Sequence, residues 1–256
     1  MIDLAIGALL ALAVAIAAHR AHALDRSGAV AAFAIGTATF AAGGWRGALV
    51  LFAFFIPSTL LSRIGKSRKR ELVDIGKQGA RDAWQVLANG GIAAFAIVLA
   101  LRYGTPFAAA FAGAFAAASA DTWGTEIGTL ARGTPRSILT LRSLATGLSG
   151  GVTWQGTAAE IAGAILVAVV AAATGLAAVV PVAVAGIAGA FLDSLLGASA
   201  QALHWCPRCE RSCETDPHVC GTPTVLRRGF AWLENDAVNL AATLCGAIVA
   251  AVLATR

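Results

Sequence analysis

Ser119–Glu160 reads SADTWGTEIGTLARGTPRSILTLRSLATGLSGGVTWQGTAAE, the longest markedly polar interval between two apolar runs of the chain. A membrane-length apolar segment follows it directly. Thr157 and Glu160 have the T-x-x-E spacing of a capping box, in which hydroxyl and carboxylate each satisfy a free backbone N–H, so the spacing predicts a helix beginning near Ala158. Gly147–Gly156 then becomes a glycine-rich approach to a helix N-terminus. Small residues let the backbone amides of Ser149, Gly150 and Gly151 come close to an anion, and the helix dipole adds partial positive charge there, an arrangement suited to phosphate. Upstream lie Asp121 and Glu126, carboxylates of the kind that hold a phosphate-bound magnesium ion. A plain small-residue loop between packed helices is the competing reading of the same glycines.

Working outward, the chain is 58% hydrophobic and 13% charged, and its apolar residues come in long runs, outside the range of soluble globular domains. The runs are of helix-spanning length rather than the alternating segments of an outer-membrane barrel, so the expected class is all-α, a polytopic transmembrane helical bundle forming one domain over residues 1–256. Eight apolar segments can be marked: Ile2–Ala18, Ala29–Ala42, Ala48–Leu61, Ala83–Leu101, Pro106–Ala118, Ala158–Ala173, Ala177–Leu203 and Ala237–Thr255. The first lacks a basic n-region and a clear cleavage site and reads as a retained span. With eight spans, the 19–28, 62–82, 119–157 and 204–236 loops share one side and hold 16 of the 19 Lys and Arg residues. The positive-inside rule makes them cytoplasmic, with both termini opposite. The net charge of +5 follows from that topology and does not imply a nucleic-acid partner.

The most basic interval, 63–82, is a topology anchor on anionic lipid for its first five cations. Its end differs: Arg81, Gln85 and Asn89 fall at i, i+4 and i+8, a polar stripe on the start of the fourth segment that must face other helices or a ligand cleft. Lys77 and Arg81 are candidates for contacting substrate phosphates, and so are Arg136 and Arg142 beside the glycine-rich loop. On an unbroken helix Asp121 and Glu126 would point apart; either Gly124 breaks the helix and joins them, or Asp121 holds the metal and Glu126 does something else. Asp193 lies within the seventh segment at undecided depth, and Asp236 and Asn239 share a face at the start of the eighth, with Asn235 a candidate N-cap. Asp193 and Asp236 join the candidate magnesium ligands.

Cys206-x2-Cys209, Cys213 and His218-x-Cys220 put four soft ligands and a His within 15 residues of one cytoplasmic loop. Reducing conditions there disfavour disulfides, and the spacing suits tetrahedral zinc held by Cys206, Cys209, His218 and Cys220, with Cys213 spare or a substitute, in an inserted loop spanning 204–222. Cys245 reads as an ordinary packed residue.

Together these pieces resemble the DUF92 (TMEM19-like) family of integral membrane proteins, whose plant members include phytyl-phosphate kinase. The resemblance is carried by KQGARDAWQVLANGG (Lys77–Gly91), SADTWGTEIG (Ser119–Gly128), PRSILTLR with GLSGGVTWQGT (Pro135–Thr157), LDSLLGASAQ (Leu192–Gln201) and NDAVN (Asn235–Asn239). A shorter likeness, D-x-x-x-x-E-x-G and G-T-x-A at Gly156–Ala159, links it to CTP-dependent polyprenol kinases. The resemblance implies phosphoryl transfer from a nucleoside triphosphate, CTP favoured, to an isoprenoid monophosphate at the cytoplasmic face of the cell's inner membrane. It places Asp121, Glu126, Lys77, Arg81 and Asp193 in the chemistry, and Asn89, Thr153, Gly156 and Thr157 with the phosphate-binding loop. The Cys/His cluster departs from the animal and plant pattern and reads as an accessory staple. A prenol kinase, a CDP-lipid-forming cytidylyltransferase and a transporter are the alternatives; the transporter is disfavoured by the absence of a repeat and by motif residues gathered at one rim.

Overall fold

A computed structural model describes residues 2–65 and 79–255. Its helices are α1 (Ile2–Arg20), α2 (Arg26–Arg63), α3 (Ala83–Tyr103), α4 (Thr105–Leu130), α5 (Trp154–Ala173), α6 (Val179–Ser199) and α7 (Asn235–Ala254). The expected all-α character holds in the main. The polar connections add two small antiparallel sheets: β1 (Arg136–Ser137) with β2 (Gly151–Val152), and β3 (Leu203–Cys206) between β4 (Arg211–Cys213) and β5 (Val225–Arg228).

Among the described residues, five helices are long and apolar enough to cross a membrane by length and composition: α2, α3, α5, α6 and α7. That is fewer than the eight segments marked in the sequence. Helix α1 contributes a shorter apolar stretch, Leu4–Arg20, among the described residues. The fifth segment continues as one helix to Leu130, where Asp121 and Glu126 dilute its apolarity. The second and third segments both lie in α2, which Gly44 interrupts with φ 58° and ψ −155°, a conformation open to glycine. There the chain folds back on itself: a side chain on Gly47 would begin 3.1 Å from the Thr39 carbonyl oxygen, so arms 26–43 and 45–63 run side by side. Both ends of α2 accordingly meet at one rim, where Arg63 donates to the Ala21 carbonyl and the Ser27 hydroxyl accepts from the Ala83 amide.

The centre of the bundle is α4, whose residues from Ala109 to Ala120 are buried on every side. A run so rich in alanine suits this position, since alanine favours helix and lets neighbouring backbones approach closely. Phe111 and Phe115 meet edge to face at 5.2 Å between ring centroids, and Phe54 of α2 stacks on Phe115 at 5.4 Å. Glycines set the crossings: a Cβ on Gly113 would lie 2.5 Å from the Gly246 carbonyl oxygen, and one on Gly246 would lie 2.6 Å from that of Gly113. We expect Gly113→Ala to lower stability in detergent by about 1–3 kcal/mol through overpacking against backbone. Gly91→Ala, with nothing nearer than 3.8 Å, should instead gain up to about 1 kcal/mol from helix propensity. Thermal denaturation of the two variants side by side checks the contrast.

Helix starts and stops follow local chemistry. The capping box that forms is Asp82 with Gln85: the Asp82 carboxylate accepts from the Gln85 amide at 3.0 Å and the Gln85 side chain accepts from the Asp82 amide at 3.2 Å. The box expected at Thr157 and Glu160 does not form. Helix α5 begins four residues earlier, capped by Thr153, whose hydroxyl accepts from the Gly156 amide at 3.0 Å.

Candidate functional site

A cavity of about 970 Å³ opens at the rim where α3, α5 and α7 start and α4 and α6 end. Its polar character begins with the stripe on α3, and Arg81, Gln85 and Asn89 all line it. Arg81 is fixed through its backbone, accepting from Asp25 at 3.0 Å and donating to Ala23 at 3.1 Å, while its guanidinium donates to the Ser62 hydroxyl at 3.1 Å. Burial pulls the guanidinium below its ordinary pKa, and the charge of Glu126 pulls the other way. Lys77 lies outside the described residues.

Asp121 and Asp193 come from neighbouring helices and meet at one side chain. With its amide nitrogen facing the acids, the orientation that satisfies the network, Asn239 donates to both carboxylates at 3.2 Å and accepts from Asn235 at 3.0 Å. Asn235 therefore works inside this network rather than as the N-cap of α7, a position that Glu234 holds. Helix α4 is unbroken at Gly124, so the break that would have joined Glu126 to Asp121 is not made, and Glu126 lies within electrostatic reach of Arg81. Asp193 lies six residues before the end of α6, about 9 Å from it at 1.5 Å per residue, so this acid belongs to the rim rather than the middle of the bundle.

Glu160 joins this group from α5. It lies two turns into the helix against Gly124, where a Cβ would sit 2.5 Å from the Glu160 Cγ. With Asp236, Glu214, Asp216 and Glu234, eight carboxylates line the cavity, and Arg81 is the cation among its described lining residues. Arg136 and Arg142, expected to grip phosphate, are exposed outside that lining, and Arg136 donates to the Leu141 carbonyl at 3.1 Å. Thr157 is likewise exposed and outside it.

The glycine-rich loop does line the cavity, and Gly150 is the residue that shapes it. Its φ is 79°, and a Cβ there would lie 2.3 Å from the Ala198 amide nitrogen, so the loop is pressed against the end of α6. The anion-seeking character expected of its amides is present at Ser149, with an occupant from the protein itself. The Ser149 amide donates to one oxygen of Glu214 at 2.7 Å and its hydroxyl to the other at 2.9 Å. Gln201 reaches both Ser149 and Glu214 at 3.0 Å. Burial raises the Glu214 pKa, while the Ser149 amide and hydroxyl, the Arg228 charge and Gln201 hold it down.

Glu214 directly follows β4, so the Cys/His loop is a wall of this cavity rather than a distant accessory. Cys206, Cys209, His218 and Cys220 offer ligand atoms that all lie within 4.8 Å of one another. His218 is 2% exposed, and its Nε2 has no hydrogen-bond partner, a costly state for a buried nitrogen and the expected one for a metal ligand. The Cys220 thiol is pulled down to about 5, chiefly by the Thr222 hydroxyl and then by His218, while the Cys209 thiol is pushed up to about 11, chiefly by Cys220. Cys213 is outside the group, its thiol turned to the Thr215 carbonyl. Four such residues can hold a metal ion, and three sulfurs with one imidazole are the donor set of structural zinc.

Four acids escaped the sequence reading. Glu160 was assigned to a cap, and its i−4 relation to Gly156, another cavity residue, was the available signal. Glu214, Asp216 and Glu234 carried none, because only the folded Cys/His loop brings them to the cavity.

Residues 9–247 match the family described as integral membrane protein DUF92. The chain belongs to this family. Two relatives resemble it over most of their length, and a third over about two thirds of its own. Protein PGR of Arabidopsis thaliana is 30% identical, covering 90% of this chain and 89% of its own, and an uncharacterized membrane protein of Methanocaldococcus jannaschii is 28% identical over 97% and 93%. Protein VTE6, chloroplastic, of Arabidopsis thaliana is 26% identical over 89% of this chain and 64% of its own. No solved structure matches. This DUF92 protein is thus a multi-pass integral membrane protein whose polar cavity lies at one end of its bundle.

Proposed function

We propose that this DUF92 protein is a kinase that transfers the terminal phosphoryl group of a nucleoside triphosphate, CTP favoured, to an isoprenoid monophosphate, giving the diphosphate. The observation that carries the reading is the cavity itself: eight carboxylates against one described arginine, at a rim that also carries a helix N-terminus and a glycine-rich turn. Two phosphorylated substrates would be repelled by such a wall unless divalent cations neutralised it, and carboxylate oxygens in a polar cavity are the ligands magnesium takes. Asp121 and Asp193, with Asp236 and Glu160 beside them, fit that ion. A magnesium ion held by these residues would supply the positive charge that offsets the negative charge developing in transfer.

The chain's own residues do the rest. Asn239 holds the Asp121 and Asp193 carboxylates in register on their separate helices. Arg81 offers its guanidinium to the acceptor or the transferred group, and Gln85 and Asn89 supply neutral donors beside it. The Gly151 amide is used within the turn, donating to the Leu148 carbonyl at 3.3 Å, so the donor phosphates would meet the glycine-rich turn at Gly150, ahead of the start of α5. A phosphate monoester is largely ionised near neutral pH, so its oxygen attacks without a strong general base; the bond from the terminal phosphorus to the bridging oxygen breaks, and a nucleoside diphosphate leaves. A prenol acceptor would instead need Asp121 or Asp193 to take its proton.

For the membrane, the reading places the cavity rim and its basic loops at the cytoplasmic face of the cell membrane, with eight crossings if both α2 arms, α1 and α4 are counted, and both termini outside. The Cys/His loop over 204–222 carries one structural zinc ion. Titration with the manganese complex of CTP, followed by electron paramagnetic resonance, tests the site apart from turnover. The unaltered protein should bind it, and Asp193→Asn should weaken binding by at least about tenfold. Equal binding by both proteins would remove the assignment.

A further inference from the structure

A second cavity, narrow and of about 170 Å³, lies among α1, α2 and α3. Its wall is hydrocarbon and aromatic: Leu10 and Val14 of α1, Phe40, Phe52 and Phe55 of the α2 arms, and Phe115 of α4. Apart from the Thr39 hydroxyl, its polar lining is Arg81, Gln85 and Asn89, which line the acid-lined cavity as well, so the two cavities adjoin at the start of α3. Leu10, on the far wall, is 51% exposed, so the apolar cavity reaches the outer face of the bundle, where membrane lipid would lie.

A molecule filling this space has a hydrocarbon body and a polar end. The polar end meets the arginine, and the body cannot turn into the larger cavity without leaving apolar surface against carboxylates. We infer that the cavity among α1, α2 and α3 holds the hydrocarbon chain of the isoprenoid phosphate acceptor, with its phosphate at Arg81, facing the acid-lined cavity. This rests on the proposed kinase reading for the identity of the acceptor and adds where the acceptor lies and what limits it. The aromatic wall favours a branched, unsaturated chain over bulk water, and the narrow volume sets a length beyond which the tail must emerge past Leu10 into the membrane.

The shape explains the use of α1 and α2, which carry none of the acids of the site. Their small residues keep the space open. Gly36 lines it, and a Cβ there would come 3.0 Å from that of Ala11, so α1 and the first arm of α2 already approach as closely as their side chains allow.

The test needs no turnover. A geranylgeranyl monophosphate analogue with a photoactivatable diazirine at the tail end is bound to the full-length protein in nanodiscs, irradiated without nucleotide, and the labelled peptides are mapped. Labelling should fall on Leu10 to Val14 and Phe52 to Phe55 and be competed by unlabelled geranylgeranyl phosphate. Labelling confined to the outer faces of α5 to α7 would overturn the inference, as would competition by phosphatidic acid alone, which would mark a seat for a structural lipid. As a second readout, Val14→Phe should weaken binding of geranylgeranyl phosphate by about tenfold while leaving dimethylallyl phosphate unaffected; equal loss of both would count against it. Correct labelling without phosphoryl transfer would preserve the inference and sink the kinase reading. Transfer without labelling at these peptides would do the reverse.

Discussion

Asp121→Asn lowers nucleotide-dependent phosphorylation by about 10³-fold or more, a loss of roughly 4 kcal/mol of transition-state stabilisation. The substitution keeps the volume of the side chain and its contact with Asn239, and removes one anionic oxygen from the pair that Asp121 forms with Asp193. Stability should therefore change little, because the variant also relieves repulsion between two half-buried carboxylates. The measurement is the initial rate of label transfer from terminally labelled nucleotide, beside thermal denaturation of the same preparation. Full activity in a folded variant would show that this acid is not part of the reaction. Glu126→Gln should cost less, since Glu126 faces Arg81 and touches the reaction through that side chain.

Cys206→Ser should have the second largest effect. Cys206 is fully buried, its sulfur 3.6 Å from that of Cys220, and losing one of four ligands should empty the site. Metal content by elemental analysis should fall from about one zinc per chain to near none. Zinc binding supplies much of the free energy that orders a small loop, so its loss should release Glu214 from Ser149. Hydrogen exchange at the Ser149 amide reads that release as faster exchange, and phosphorylation should drop by at least about tenfold as the cavity wall opens. Cys213→Ser is the matched control: its thiol lies outside the ligand group, so metal content should be unchanged. Fresh reduced protein without zinc would end this part of the account.

Much of the site was legible in the sequence because its residues sit on helices with simple spacing. Arg81, Gln85 and Asn89 could be placed on one face by counting, and charged or amide side chains bordering apolar runs marked Asp121, Asp193 and Asn239. The Cys/His cluster was legible for another reason: Cys and His at short fixed spacings suit a metal ion, and the structure brings the four ligand atoms within 4.8 Å of one another. What failed did so where several local patterns compete. Thr153 and Thr157 are both plausible caps, and the earlier one is used because Gly156 must face Gly128 and the Gly124 carbonyl across the α4–α5 crossing. Arg136 and Arg142 looked like phosphate ligands by proximity in sequence, but Arg136 is exposed on β1 and Arg142 is exposed in the segment between β1 and β2. The fold-back at Gly44, by contrast, falls in the gap between the second and third apolar segments marked in the sequence, where the Gly43–Gly44 pair stands. Glu214 could not be found at all, since a carboxylate that reaches an amide 65 positions away leaves no trace in local pattern.

The central claim is that the acid-lined rim joins a nucleotide to a lipid phosphate by phosphoryl transfer. The most direct measurement incubates the purified protein in lipid with CTP labelled on its terminal phosphate, magnesium and geranylgeranyl monophosphate, and identifies both products. The account predicts labelled geranylgeranyl diphosphate together with unlabelled CDP, both lost in Asp121→Asn; labelled pyrophosphate with a CDP-lipid, or no transfer from any nucleotide to any prenol or prenyl phosphate, would contradict it.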